Sequence, residues 1–184
     1  MKVECLPIAD VKLISPKKFS DGRGFFSETW NERALEAAGL QVRFVQDNHA
    51  YSKPAGTVRG LHFQLPPLAQ DKLIRVTRGA IMDVAVDIRR SSPTFGQYVS
   101  AVLSAENWQQ LWVPKGFAHG YCTLEPETEV IYKVTGYYSP AHDRGIMWDD
   151  PGIGIDWPVA RDAAHVSGKD KMQPALGDAT QLFD

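Results

Sequence analysis

The chain has 184 residues, enough for one domain with a sizeable core and short for two. Hydrophobic residues make up 43% and charged residues 23%, the balance of a globular protein, and the formal net charge of −2 offers no basic field for nucleic acid. Its two cysteines, Cys5 and Cys122, show neither CxxC nor zinc spacing, which argues against a disulfide framework and fits a reducing cytoplasm. The opening MKVECLPIAD is interrupted by Glu4, Pro7 and Asp10, so it does not read as a signal peptide, and no run approaches the ~18 apolar residues of a membrane span.

The first ~45 residues read as an arm on a single domain covering 1–184. Within the arm, Thr29-Trp30-Asn31-Glu32 has the spacing of a capping box and predicts a short helix ending at Gly39. Residues 73–77 then read as a strand, and residues 81–88 alternate cleanly: Met82, Val84, Val86 and Ile88 share one face, Asp83 and Asp87 the other. Residues 98–103 form another strand. In the run 129–138, Val130, Tyr132 and Val134 share a face, so Tyr132 should point into the protein. Turn signals separate these segments at Ser91-Ser92-Pro93, Pro114-Lys115-Gly116 and Glu125-Pro126-Glu127. A second helix start lies at Ser167-Gly168-Lys169-Asp170, within a short helical tail of about 160–184. Many short strands with little helix predict an all-β fold, a sandwich or jelly roll rather than an open sheet.

Several chemistries lack their signatures. There is no P-loop, no GxGxxG and no G-x-S-x-G elbow. The histidines (His49, His62, His119, His142, His165) form neither H-x-H nor H-E-x-x-H, so no metal centre is expected. What stands out is polar residues inside core-like segments: Arg59, His62 and Gln64 in TVRGLHFQ, Lys72 and Arg75 after Gln70-Asp71, His119 in GFAHGY, and Tyr132 and Lys133 in VIYKV. Each has a plain structural reading. His62 can be a hydrogen-bonded strand residue and Tyr132 a buried tyrosine with a satisfied hydroxyl. Lys72 and Arg59 can be edge charges, and Asp170 stands where a capping box after Ser167 would place an acid. Strict alternation also puts Arg59 and His62 on opposite faces of one strand. They can share a pocket only if the strand is irregular between them, and Gly60 is the position where a bulge would do this.

Taken together, the segments Ser20-Asp21-Gly22-Arg23-Gly24-Phe25-Phe26, Phe44-Val45-Gln46-Asp47-Asn48-His49, Val58-Arg59-Gly60-Leu61-His62-Phe63-Gln64 and 114–120 resemble the dTDP-4-dehydrorhamnose 3,5-epimerase family in order and spacing. So do Tyr137-Tyr138-Ser139-Pro140, Gly145-Ile146-Met147-Trp148-Asp149-Asp150-Pro151 and Ile155-Asp156-Trp157-Pro158. The resemblance runs from about residue 6 to about residue 176. It implies a cupin-like jelly roll (double-stranded β-helix), a homodimer, and neither metal nor organic cofactor. The implied reaction is epimerisation at C3 and C5 of dTDP-4-dehydro-6-deoxy-D-glucose. By the same resemblance His62 corresponds to the general base, Asp170 to the carboxylate that orients it, Lys72 to the group that stabilises the enolate, and Tyr132 to the acid on the opposite face. Arg23, Glu28, Gln46, Asp47, Asn48, Arg59, His119, Asp143 and Lys169 match substrate-contacting positions, and Tyr138 matches part of the thymine-binding wall. The family's arm reaches across the dimer, which would send Phe19, Arg23 and Glu28 to the partner's site. The sequence departs from the family pattern at Lys115, Ala141 and Asp143, where glutamate is common; the last shortens a substrate contact by one methylene.

This chemistry suits the residues. A C4 ketone acidifies the protons on C3 and C5, a histidine with pKa near ~6.5 is half available as base at neutral pH, and a fixed ammonium answers the charge that grows on the C4 oxygen. The doubly charged diphosphate calls for Arg23, Arg59 and Lys169 despite the acidic balance. A single-centre epimerase, a non-catalytic sugar-nucleotide module and a metal-dependent cupin oxygenase are the competing readings. The set His62, Lys72, Tyr132 and Asp170 argues against the second, because binding alone needs no acid–base pair.

Overall fold

Alternating apolar residues cut by glycine and proline turns give fourteen short strands in the computed structural model, which describes residues 1–184. They are β1 (Lys2–Cys5), β2 (Lys12–Ser15), β3 (Lys18–Asp21), β4 (Gly24–Ser27), β5 (Gln46–Ser52), β6 (Thr57–Gln64), β7 (Lys72–Arg78), β8 (Ala80–Asp87), β9 (Tyr98–Ser104), β10 (Gln110–Val113), β11 (Phe117–Thr123), β12 (Thr128–Val134), β13 (Asp143–Gly145) and β14 (His165–Val166). Helix is confined to α1 (Glu32–Ala37), α2 (Gly168–Lys171) and one 3₁₀ turn at Leu176–Asp178. One sheet runs β1-β2-β10-β7-β12-β5; the second runs β13-β6-β11-β8-β9, with β14 parallel to β6. The expected all-β sandwich is therefore the fold observed.

The interior between the sheets changes character from one side to the other. Toward β9 and β10 it is apolar: Ile74, Val76, Leu111, Val113 and Val130 of the first sheet meet Ile81, Ala85, Val99, Leu103 and Phe117 of the second. Each of these side chains other than Ala85 contributes about 1.5–3 kcal/mol by leaving water. Toward β5 and β6 the same faces carry Lys72, Tyr132, His62 and His119, and the sheets part around a cavity. The strongest alternation in the sequence, on β8, has both faces buried. Val84, Val86 and Ile88 pack outward beneath Ile146, Ile153, Leu176 and Ala179 of the C-terminal segment, while Ile81, Asp83 and Ala85 face the sandwich interior. Asp83 is thus fully buried.

The first 45 residues divide in two. Strands β1 and β2 extend the first sheet through β10, and α1 buries Leu35 against Ile14, Leu73 and Trp112. The β3–β4 hairpin pairs only with itself and leaves Phe19, Phe25 and Phe26 exposed. The expected helix forms, but its cap is Asn31, whose side chain accepts from the Ala34 N–H, and not Thr29. It stops where Gly39 takes the left-handed conformation that a side chain would resist.

Candidate active site

The cavity, about 580 Å³, lies between β5, β12 and β7 of the first sheet and β6 and β11 of the second, closed at one edge by the segment 165–170. This volume suits a nucleotide-sized ligand. Its position follows from strand phase. On β12, Tyr132 points inward with Val130 and Val134; on β7, Lys72 points inward with Ile74.

Strand β6 breaks its alternation where the sequence requires it. Opposite β11, His62 pairs with His119 and Arg59 pairs with Tyr121, so three steps on β6 face two on β11. The extra residue turns Arg59 and His62 to the same cavity. Only glycine fits at this step: Gly60 has φ of 126°, and a Cβ there would lie 2.5 Å from the Gly120 Cα.

His62 donates from Nε2 to Asp170 Oδ1 at 2.6 Å, across 108 residues of chain. A carboxylate can only accept, so Nε2 carries the hydrogen and the lone pair of Nδ1 is free. The Asp170 backbone N–H donates to the Ser167 hydroxyl, the helix-cap contact the sequence suggested. Its carboxylate does not reach back to complete the capping box. It takes His62 and, at 3.4 Å, the Gly60 N–H. Burial pushes this carboxyl up, but the His62 ring and the two backbone and hydroxyl contacts outweigh that and hold it below the usual carboxylate range.

Lys72, 8% exposed, donates to the His62 carbonyl at 3.2 Å. Burial brings its ammonium down to about 8, with Asp143 and Asp83 pulling the other way. Burial raises Tyr132, against the opposing charge of Arg59, so its hydroxyl stays protonated. A second histidine pair stands beside the first: His119 Nε2 donates to Asp83 Oδ1 at 2.6 Å, and the other Asp83 oxygen has no partner in the chain. Burial lowers His119 more than Asp83 raises it. At the mouth, Asp143 accepts from Lys169 and from the Tyr138 hydroxyl, and the Asp143 contact raises Lys169.

Eleven of the fifteen residues singled out from the sequence line this cavity: His62, Lys72, Tyr132, Asp170, Gln46, Asn48, Arg59, His119, Tyr138, Asp143 and Lys169. Four do not. Asp47 alternates to the outer face of β5, where it pairs with Lys133 at 2.9 Å; strand phase places it away from its neighbours Gln46 and Asn48. Phe19 and Arg23 sit on the β3–β4 hairpin, which rests on Trp108 and not on the cavity, with Arg23 paired to Asp21, and Glu28 follows that hairpin. Gln64, which the sequence set apart without giving it a role, also lines the cavity, and Asp83, bonded to His119, was missed as a candidate. The signal for Asp83 was a carboxylate in phase with Ile81 and Ala85. No three His, Cys, Asp or Glu side chains converge to hold a metal ion.

A sandwich interior that gathers a histidine–aspartate pair, a buried ammonium and a protonated tyrosine around one polar cavity is built to move protons on a bound organic molecule. Comparison with known proteins agrees with this. The family model described as dTDP-4-dehydrorhamnose 3,5-epimerase matches residues 5–178, and the chain belongs to that family. It is 56% identical to the dTDP-4-dehydrorhamnose 3,5-epimerase of Sinorhizobium fredii over 183 residues, 100% of this chain and 93% of that one. Among solved structures, it is similar to the dTDP-4-dehydrorhamnose 3,5-epimerase of Bacillus anthracis with TDP and PPi bound (53% identity, TM-score 0.91, covering 95% of this chain and 98% of that chain). It is also similar to the dTDP-6-deoxy-D-glucose-3,5-epimerase of Legionella pneumophila in complex with dTDP-4-keto-L-rhamnose (44% identity, TM-score 0.90, covering 96% and 93%). The fold is the cupin-like one of these neighbours.

Proposed function

We propose that this protein inverts C3 and C5 of dTDP-4-dehydro-6-deoxy-D-glucose to give dTDP-4-dehydro-L-rhamnose, by removing and returning protons beside the C4 ketone. The observation that carries this reading is the His62–Asp170 pair facing Lys72 and Tyr132 across one cavity. His62 takes the proton on Nδ1, and Asp170 fixes the tautomer and balances the imidazolium. The Lys72 ammonium stabilises the enolate oxygen in a setting that water does not screen. His62 projects from the second sheet and Tyr132 from the first, so a sugar ring held between them meets base and acid from opposite sides. Every proton and charge in this scheme comes from side chains, so it calls for no cofactor.

Arg59 and Lys169 are the cations for the diphosphate; Lys169, held by Asp143, is one the substrate can recruit. Tyr138 supplies the wall for the thymine ring, and Gln46, Asn48, His119 and Asp143 the remaining polar contacts. The TDP and dTDP-4-keto-L-rhamnose named with the two similar structures support a thymidine nucleotide sugar as the substrate. The enzyme acts as a homodimer in which the β3–β4 hairpin of one copy brings Phe19, Arg23 and Glu28 to the other copy's cavity. Supporting this, no residue before Gln46 lines the cavity of its own chain. Cytoplasmic location accords with two unpaired cysteines, and no helix is long and apolar enough to cross a membrane.

The test is incubation with the ketosugar in D₂O, with deuterium located by NMR and mass spectrometry. Deuterium at both C3 and C5, with the L-ketosugar formed, is expected. Exchange at one carbon alone would make the protein a single-centre epimerase, and bound substrate without exchange would reduce it to a binding module.

A further inference from the structure

Residues 136–139 cross the cavity mouth with two exposed tyrosines, Tyr137 and Tyr138, and without a backbone ladder. Strand β12 ends at Val134, the Thr135 N–H still donates to the Asp71 carbonyl at 3.2 Å, and the next N–H groups along the chain to donate to a backbone carbonyl are those of His142 and Asp143, which reach back to the Ser139 carbonyl. Three glutamine side chains take the place of that ladder. Gln70 donates to the Gly136 carbonyl at 2.7 Å, and Gln64 donates to the Tyr137 carbonyl at 3.1 Å. The Tyr138 N–H donates to Gln46 Oε1 at 3.1 Å, and the Ser139 N–H donates to Gln64 Oε1 at 2.7 Å. Four successive residues are thus each held by a glutamine.

Gln64 is the centre of this arrangement. It is 3% exposed, ends β6 two residues beyond His62, and grips the loop at two points, as donor and as acceptor. Its second amide hydrogen goes to the Leu68 carbonyl at 2.7 Å, which ties the 65–71 connection to the same anchor. A buried primary amide with both hydrogens and its oxygen engaged on main chain has one orientation, and it imposes one on the loop.

We propose that Gln64, assisted by Gln46 and Gln70, is a positioning residue for the nucleotide-base wall. It sets Tyr138 in place before the substrate arrives. It therefore governs affinity for the nucleotide and leaves proton transfer to His62 and Tyr132. This rests on the thymidine reading given above. A loop already ordered in the free protein loses less freedom on binding, so removing the grip should appear in Kd and KM.

The experiment measures dTDP binding by calorimetry, with KM and kcat for the ketosugar, in wild type, Gln64→Met, Gln70→Ala, Tyr138→Ala and the two double variants with Tyr138→Ala. Gln64→Met should weaken dTDP about tenfold, the effect of losing roughly one net hydrogen bond's worth of order, and raise KM alongside, with kcat falling far less. Gln70→Ala removes a single contact and should weaken dTDP about threefold; it carries the test if Gln64→Met does not fold. In the Tyr138→Ala background both losses should vanish, because the ring they position is gone. An undiminished loss in that background, a fall in kcat at constant KM, or unchanged dTDP affinity would each overturn the proposal. Wild-type protein that failed to bind dTDP would overturn the thymidine reading itself. Wild type that binds while Gln64→Met binds equally well removes only the role of Gln64.

Discussion

The two histidine–aspartate pairs stand on neighbouring strands, His62 opposite His119, and each has a 2.6 Å bond from Nε2. They differ in what surrounds them. The His62 side chain is 32% exposed, and the His119 side chain 8%. Asp170 is anchored by the Gly60 amide and by its place in α2; Asp83 keeps one oxygen without a partner. Burial drives His119 toward the neutral form despite its carboxylate. Pairing alone therefore does not make a base. Both rings line the cavity, but His62 is the one open to it, whereas burial favours the neutral ring of His119 as a donor to Asp83 in the pocket wall.

The largest test of this contrast is His62→Ala. It should lower kcat about 10³-fold, the range for a single acid–base group, with dTDP affinity and thermal midpoint close to wild type. Unfolding of that variant, seen by circular dichroism, would instead mark His62 as structural. Asp170→Asn comes next. The amide can still accept from Nε2 but cannot balance an imidazolium, so kcat should fall about 10²-fold.

A pH profile follows. Lys72 is held near 8, so its ammonium is present below that pH and lost above it. The rate kcat/KM should fall about tenfold per unit beyond about pH 8, and Lys72→Gln, slower throughout, should lack that limb. The same group acts on stability with the opposite sign. Between about 8 in the folded protein and 10.5 unfolded, the unfolded chain binds more protons, so its contribution to stability rises with pH over this window. Thermal unfolding of wild type against Lys72→Gln would separate the two. The smallest effect is expected from His119→Gln, about tenfold in kcat/KM, one polar contact's worth. A loss as large as that of His62→Ala would erase the distinction between the pairs.

Much of this site was legible in the sequence. The common phase of Val130, Tyr132 and Val134 placed the tyrosine inside, and the conflict between Arg59 and His62 identified Gly60 as the irregular position. Asp170 was readable both as a cap residue and as the partner of His62; its backbone N–H makes the cap contact and its carboxylate bonds the His62 ring. Periodicity could not say that both faces of β8 are covered, because the cover comes from Ile146, Ile153, Leu176 and Ala179, distant in sequence. Nor could it separate Asp47 from Gln46 and Asn48 while QDN was taken as one motif; a strand sends alternate residues to opposite faces. Gln64 was visible but had no role until the loop it holds was seen.

The bond between His62 and Asp170 spans 108 residues, and Asp170 lies on the segment whose neighbours Leu176 and Ala179 cover the second sheet. During synthesis His62 and the whole first sheet emerge from the ribosome well before Asp170, whereas β14, which completes the second sheet beside β6, emerges just ahead of it. The growing chain can thus build its first sheet while the carboxylate partner of His62 is still missing. One stretch of chain supplies both the outer cover of the second sheet, through Leu176 and Ala179, and the carboxylate that His62 pairs with.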